Sequence, residues 1–433
     1  MSRAARKQLF SMADLLKRAY KALEGNLWKQ TIDTEQLTGL LADSQEVAVS
    51  MGTQIEAICG EGTDTVRELE NYCETLYQIT QSYGNPAMQK ELLRQLKQQL
   101  GRIRSRIGKD VPDRLEAVFL PYKASMWDSL ESIWKAAKED EEADAYVVPI
   151  PYYDRKPGLS LGEEHYEGAL FPEDVKITDY HEYSLEMRRP DIVFIHNPYD
   201  DGNYVTTVHP HFYSGNLKKY TEKLVYVPYF VCAGEEVPEG MALTKGVCNA
   251  DYIIVQNENE KEQYIQHFQN RYPGVDISGK LLPLGSPKFD KVRSASRDDL
   301  QIPTEWRQMT EGKKVILYNT SLGGLLNESE RYLEKMERVF RFFSKRKDAV
   351  LLWRPHPLME STFSSMRPEL YEKFIKLKTQ FIQENIGIYD DTPDMHAAIG
   401  LSDAYYGDLS SLVKLYQETG KPVMIQASYM RSV

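Results

Sequence analysis

The sequence predicts an α/β protein of two Rossmann-type halves, the second one incomplete, preceded by an all-α helical bundle or coiled-coil region. Three observations predict it. Apolar residues recur in alternating three- and four-residue steps over roughly the first 110 positions, the seam spacing of packed helices. Past Pro112, short apolar runs alternate with helical stretches, the pattern of a parallel sheet covered on both faces. Three polar segments each directly follow such a run: Gly285-Ser-Pro-Lys-Phe-Asp290, Arg354-Pro-His356-Pro357 and Gly407-Asp408-Leu-Ser410-Ser411.

The amino-terminal helices come first. Leu37, Leu40, Leu41, Val47, Met51, Ile55 and Ile58 line one amphipathic helix, closed by Gly60-Glu-Gly62. Val66, Leu69, Cys73, Leu76 and Tyr83 form a seam, Gly84-Asn85-Pro86 breaks the chain, and Leu92, Leu96, Leu100, Ile103 and Ile107 resume it. Two seams around a tight break predict an antiparallel helical hairpin. The basic run Lys97, Arg102, Arg104, Arg106 and Lys109 reads as a solvated helix face, with anionic-lipid contact as the alternative.

The strands follow. Leu115–Leu120 is the first, and Ser125 caps a helix carrying Met126, Leu130, Ile133, Trp134 and Ala137. Ala145–Ile150, Asp191–His196, Lys223–Pro228 and Asp251–Gln256 are the next strands, the last running into a helix at Glu258–Phe268. Segment 151–190 is rich in Tyr, Pro and acidic residues and weakly periodic, an insertion beside the sheet edge that points to function. After about residue 295 a second unit uses strands Lys314–Tyr318, Ala349–Trp353, Ile386–Tyr389, Ala404–Tyr406 and Pro422–Ile425.

Composition bounds the function. In 433 residues, 42% are hydrophobic and 27% charged, ordinary for a folded soluble protein. The net charge of −11 argues against nucleic acid as a partner. No apolar stretch approaches the roughly 20 residues a membrane span needs, and the first residues lack the apolar core of a signal peptide. Cys59, Cys73, Cys232 and Cys248 show no ligand spacing and read as reduced thiols of a cytoplasmic protein.

Polar residues at the carboxyl ends of parallel strands lie where open α/β sheets bind ligands. An arginine, a histidine and two hydroxyls there suit a phosphate-bearing ligand. Taken singly, an Arg-Pro-His-Pro turn, a Ser-Ser helix cap or a Gly-Ser-Pro turn is ordinary loop chemistry. Their conjunction carries the functional reading. Asp390-Asp391 looks like a metal pair, but adjacent side chains diverge in extended backbone, and Thr392-Pro393-Asp394 reads as a helix cap. Neither a metal nor a cofactor is expected.

The order Gly285-x-Pro287-x-x-Asp290, Leu317-Tyr318-Asn-Thr320, Arg354-Pro-His356-Pro, Ser402-Asp403 and Asp408-x-Ser410-Ser411 resembles the CDP-glycerol glycerophosphotransferase family, the teichoic acid primases and polymerases. The resemblance covers roughly residues 220 to 425. It implies a GT-B fold and transfer of glycerol phosphate from CDP-glycerol to a hydroxyl acceptor, with release of CMP. The residue pattern divides the chain into a helical region at 1–110, a first Rossmann-like domain at 111–292 and a second at 293–433, and the resemblance implies that the first is the acceptor domain and the second the nucleotide-binding domain. His356 would donate to the pyrophosphate or to the leaving group. Arg354 would contact phosphate or brace the loop through a carboxylate such as Asp403. Ser410, Ser411, Asp408 and Thr320 would complete the donor site, with Gly323 and Gly324 allowing close backbone approach.

Two departures stand against the family's pattern. A His-Gly-Thr sequence, whose histidine is the family's presumed base, is expected after a strand of the first domain. Here Lys223–Val227 runs into Pro228-Tyr229-Phe230 instead. His196 is the substitute by position, with His209 and His211 next. The second departure is that the chain stops soon after the strand at Pro422–Ile425, which reads as a truncated second domain. The expected partners are a CDP-activated polyol donor and a polyol-phosphate or glycan acceptor, with a lipid-linked acceptor, peripheral contact at the inner membrane face and self-association through the amino-terminal helices left open. A nucleotide-sugar glycosyltransferase and a non-catalytic interaction protein are the alternative readings.

Overall fold

The computed structural model describes residues 2–27, 34–82, 84–232, 236–294, 297, 300, 302–328, 330–392 and 395–426. The chain forms two compact units. One holds Met1–Ala124, Ile133–Tyr226 and Thr244–Ile253; the other holds Ser125–Ser132, Val227–Leu243 and Ile254–Val433.

In the first unit the helical region is a four-helix bundle: α1 (Arg3–Leu27), α2 (Thr34–Cys59), α3 (Asp64–Gln81) and α4 (Pro86–Asp110). The seam residues Leu69, Leu76, Leu92, Leu96, Ile103 and Ile107 are all buried in one core with Leu9, Leu16 and Leu23 of α1. Tyr83 of the seam and Pro393-Asp394 of the expected helix cap lie outside the described residues. Local chemistry sets the helix starts. The Thr63 hydroxyl accepts from the Val66 amide, and Asn85 accepts from the Met88 amide, with Pro86 opening α4. The basic run of α4 is largely committed within the bundle: Arg102 to Glu68, Arg104 to Asp14 and Arg106 to Asp64.

The bundle docks on the amino-terminal edge of a parallel sheet. Strands β1 (Leu115–Leu120), β2 (Ala143–Val147), β5 (Ile192–Ile195), β7 (Lys223–Tyr226) and β8 (Tyr252–Val255) run in the order β2-β1-β5-β7-β8. Asp191, just before β5, accepts from the amides of Arg3 and Ala4 at 3.0 and 3.1 Å and from Glu116 at the start of β1. A carboxylate at the head of α1 is favoured by the helix dipole. This attachment leaves the opposite, carboxyl edge of the sheet for other work.

Segment 151–190 contains two strands that its weak periodicity did not announce. β3 (Tyr152–Arg155) and β4 (Leu161–His165) pair antiparallel, and β6 (Thr206–Val208) joins on the other side of β3. β4 is mostly exposed and polar, so no apolar alternation marks it. The helix expected from Ser125 is also different. Ala124–Ser129 is a tight 3-10 turn and the α-helix begins at Glu131.

In the second unit Ile254–Val255 lead into the helix Glu258–Arg271 and then β9 (Leu281–Pro283). The second sheet uses β10 (Lys314–Thr320), β11 (Ala349–Pro355), β12 (Gly387–Tyr389), β13 (Ala404–Gly407) and β14 (Val423–Ile425). Its order is β12-β11-β10-β13-β14, all parallel, so the order reverses between β10 and β13. That switch point is where a doubly wound sheet opens a crevice at its carboxyl edge. Tyr318, Trp353, Phe340 and Phe381 pack the core on one face, and Leu317, Leu352, Ile399 and Tyr405 on the other.

Candidate functional site

The carboxyl edge of the second sheet is built around the end of β10. Thr320 pairs in register with Pro355 of β11, and Asn319 with Gly407 of β13. Neighbouring strands lie about 4.8 Å apart. His356, one residue past β11, and Ser410, three past β13, therefore flank the same strand end from opposite sides. The His356 amide donates to the Thr320 carbonyl at 2.9 Å, which holds the turn against β10.

His356 is exposed and its ring orientation is set locally. Its Nδ1 accepts from the Leu358 amide at 3.1 Å, so the proton of the neutral ring sits on Nε2. Partial desolvation of the ring pushes its pKa down, favouring that neutral form. The ring thus offers Nε2–H as a donor. On the other side, Asn319 donates to the Ser410 hydroxyl at 3.0 Å and to the Tyr405 hydroxyl at 3.1 Å. Burial pushes the Tyr405 hydroxyl up to about 12, and it donates to the Asp408 carbonyl at 2.5 Å. Ser411 is exposed beside Ser410.

Three of the expected donor-site residues lie behind this edge. Asp408 is buried, and its Oδ2 accepts from the Ser321 amide at 2.7 Å, the Ser321 hydroxyl at 3.0 Å and the Tyr332 hydroxyl at 2.6 Å. Its Oδ1 accepts from Lys335 Nζ at 3.0 Å. Protein donors hold both oxygens, and the Asp408 carboxylate fixes the loop after β10 instead of facing solvent. Burial, and then the neighbouring Asp408, push the Tyr332 hydroxyl well above its ordinary range. Gly324 is required beside this cluster: a Cβ there would meet Tyr332 Cε2 at 2.5 Å and Asp408 Oδ2 at 2.6 Å.

Arg354 lies inside β11 and not after it. It is buried, ion-paired with Asp390 and hydrogen-bonded to the Thr392 carbonyl at 2.9 Å. The expected Asp403 brace is corrected here. Asp403 accepts from the Val315 amide at 2.8 Å and from Lys314 at 3.1 Å, at the opposite end of β10. Asp390 also accepts from the Thr392 amide and hydroxyl, a turn-forming role. The Thr320 hydroxyl is buried and accepts from Trp353 Nε1 at 3.0 Å.

The first unit has its own reversal of strand order, between β1 and β5, and His196 lies just past β5. It is fully buried, and its Nε2 accepts from the Tyr122 amide at 3.1 Å. A ring so placed positions the loop after β1 and has no solvent-facing nitrogen to receive an acceptor proton. His209 accepts from the His211 amide at 3.2 Å, and His211 lies 3.6 Å from Glu186.

Sequence reading missed Asn319, Ser321, Tyr332, Lys335 and Asp390 as parts of this edge. Lys335 carried a signal. It falls on the apolar stripe Tyr332, Met336, Val339 and Phe340, where a charge needs a buried partner.

Residues 233–430, a little under half of the chain, match the family model described as CDP-glycerol:poly(glycerophosphate) glycerophosphotransferase. The matched span contains His356, Ser410, Ser411 and all their braces. No curated protein matches the chain. Among solved structures, S. aureus MnaA with UDP is 14% identical, with 72% of this chain and 79% of that one covered at a TM-score of 0.46. The UDP-GlcNAc 2-epimerase of Neisseria meningitidis bound to UDP-GlcNAc is 13% identical, covering 73% and 83% at 0.41. The wall teichoic acid polymerase TagF is 15% identical, covering 82% and 79% at 0.39.

Proposed function

We propose, from a carboxyl-terminal region of the CDP-glycerol glycerophosphotransferase type, that the chain moves glycerol phosphate or a similar polyol phosphate from a CDP-activated donor to a hydroxyl of a cell-surface polymer precursor. The acceptor oxygen forms a bond to the phosphorus that carries the polyol. The bond from that phosphorus to CMP breaks, CMP leaves with the electron pair, and the hydroxyl proton passes to a base or to solvent. His356 Nε2–H donates to a non-bridging oxygen or to the leaving CMP, and Ser410 and Ser411 ligate the diphosphate from the β13 side. Arg354, Thr320 and Asp408 are positioning residues in this reading, and His196 positions the loop at Tyr122. Catalysis is then placement plus electrostatic stabilisation of the phosphoryl oxygens.

The observation that supports this most is the flanking of one strand end by His356 and Ser410 at a topological switch point. The experiment is titration calorimetry with CDP-glycerol, CDP-ribitol and UDP-sugars, followed by turnover of His356→Ala. Binding restricted to the CDP donors and a loss of about 100-fold or more in turnover, with folding intact, are expected. Near-normal turnover removes His356 from the reaction, and preference for a UDP-sugar moves the chain to the glycosyltransferases.

A second reading has one observation behind it. The end of β7 carries Pro228-Tyr229-Phe230, and the nearest substitute, His196, is buried. A chain that binds no cytidine nucleotide at millimolar concentration is a non-catalytic relative. For the wider setting, we propose a lipid-linked precursor as acceptor and the amino-terminal bundle as the surface for membrane contact or self-association. Among the described residues no helix is long and apolar enough to cross a membrane.

A further inference from the structure

The four-helix bundle carries a groove of about 490 Å³ between α2 and α3. Its lining is apolar at Val49, Gly52 and Tyr77 and acidic at Glu56, Glu70 and Glu74. On each helix these positions recur every three or four residues, so α2 and α3 each turn one face to the groove. Val49 and Tyr77 are 55% and 60% exposed, which leaves apolar surface in water. The three carboxylates have no cationic partner among the described residues; Glu74 only takes a hydrogen bond from Gln78 Nε2 at 3.1 Å. The nearby cations of α4 are committed elsewhere, Arg102 to Glu68, Arg104 to Asp14 and Arg106 to Asp64.

A surface of opposite charge lies on α1. Met12, Leu15, Ala19 and Ala22 follow three- and four-residue steps beside the core seam of Leu9, Leu16 and Leu23. Leu15 is 45% exposed. Lys7, Arg18 and Lys21 are exposed, and their side chains have no protein partner among the described residues. The two surfaces also match in height. α1 and α3 start at the same end of the bundle, because Arg6 Nε donates to the Val111 carbonyl at 3.0 Å and the Thr65 hydroxyl donates to Asp110 at 2.7 Å. Leu15 and Arg18 stand about 14 and 18 Å along α1 from Arg6, and Glu74 and Tyr77 about 14 and 18 Å along α3 from Thr65. α2 packs between α1 and α3. A two-fold axis parallel to the helices therefore carries α1 of one copy onto the α2–α3 side of another without changing its height.

We propose that the chain forms a closed two-fold dimer in which α1 of each copy lies in the α2–α3 groove of the other. Leu15 packs on Val49 and Tyr77, Arg18 meets Glu74, and each contact is made twice. The inference stands apart from the transferase chemistry and assigns the bundle to self-association. An anionic membrane surface does not suit this groove, whose three carboxylates would face like charge. Packing groove against groove fails for the same reason, since Glu70 and Glu74 would meet their own copies.

The test is sedimentation equilibrium of the full chain at micromolar concentrations, for the wild type, Leu15→Glu, Arg18→Glu and Glu74→Arg. The wild type sediments as a dimer. Leu15→Glu, at a site already in water, gives a monomer with unchanged helical circular dichroism. Arg18→Glu and Glu74→Arg each weaken dimerisation about tenfold or more, because each sets like charges together in both contacts. Mixing these two charge-reversed chains restores the dimer, since every contact then joins opposite charges. A folding defect is not repaired by mixing. A wild type that stays monomeric, a dimer unchanged by Leu15→Glu or by the charge reversals, or a mixture that stays monomeric overturns the assignment. Nucleotide binding is read separately, so either proposal can fail without the other.

Discussion

Replacing Asp408 by Asn removes one charge from a buried ion pair at the carboxyl edge of the second sheet. Lys335 and Asp408 are 3.0 Å apart, with side chains only 9% and 7% exposed. The amide of Asn is close in size to the carboxylate and still accepts from Ser321 or Tyr332. The loss is therefore mainly that of the Lys335 counter-charge. Stranding a buried ammonium costs about 3–5 kcal/mol, more than the pair itself contributes, because the desolvation of Lys335 is no longer offset. Removing both charges avoids that penalty, so the double variant Lys335→Met/Asp408→Asn recovers a large part of it, with a coupling of about 2–3 kcal/mol. Two units can unfold separately, so a signal confined to the second one is needed. Hydrogen exchange of peptides covering β10, read alongside a guanidinium titration, provides it. Asp408→Asn should lower the midpoint and deprotect β10, and the double variant should restore both. An unchanged midpoint for Asp408→Asn, or a double variant worse than the single, would refute the bracing role and return Asp408 to the ligand.

Other perturbations test the same edge. Gly324→Ala places a methyl against Tyr332 and Asp408 at 2.5 and 2.6 Å. It should cost about 1–3 kcal/mol in a thermal melt, and a neutral outcome means the loop after β10 yields freely. The His356 ring should titrate below the ordinary histidine range in an NMR pH series, since desolvation disfavours its charged form. The sign follows: this contribution to stability is full above the unfolded histidine pKa and is lost as pH falls through the lower folded value. Binding of a CDP donor should raise the midpoint, because an adjacent anion favours imidazolium. A midpoint that ignores the nucleotide separates His356 from the diphosphate. His356→Ala turnover completes the set.

Much of this edge was readable because motif residues sit immediately after apolar runs. A strand end is located by where Val350-Leu-Leu-Trp353 stops, so Arg354 and His356 could be assigned to the right edge without coordinates. What could not be read is the direction in which each side chain is held. Arg354 and His356 are two residues apart, yet Asp390 draws the first into the core while the second stays exposed. Asp390 and Arg354 are 36 positions apart in sequence and meet only through the crossover between β11 and β12. His196 is similar. Its position past β5 suggested a base, and only the packing of Tyr122 against it shows a buried, already hydrogen-bonded ring.

By itself, the sequence determined the helical first quarter, the parallel strands and the edge at which polar residues gather, because these depend on periodicity and on turn residues close in the chain. The antiparallel pair β3–β4 escaped because an exposed, polar strand has no apolar rhythm. Tertiary structure alone decided which edge residues stay exposed and which are buried as braces. That choice depends on long-range pairs, such as Lys335 with Asp408 and Arg354 with Asp390, whose energies exist only once water has been excluded from both partners.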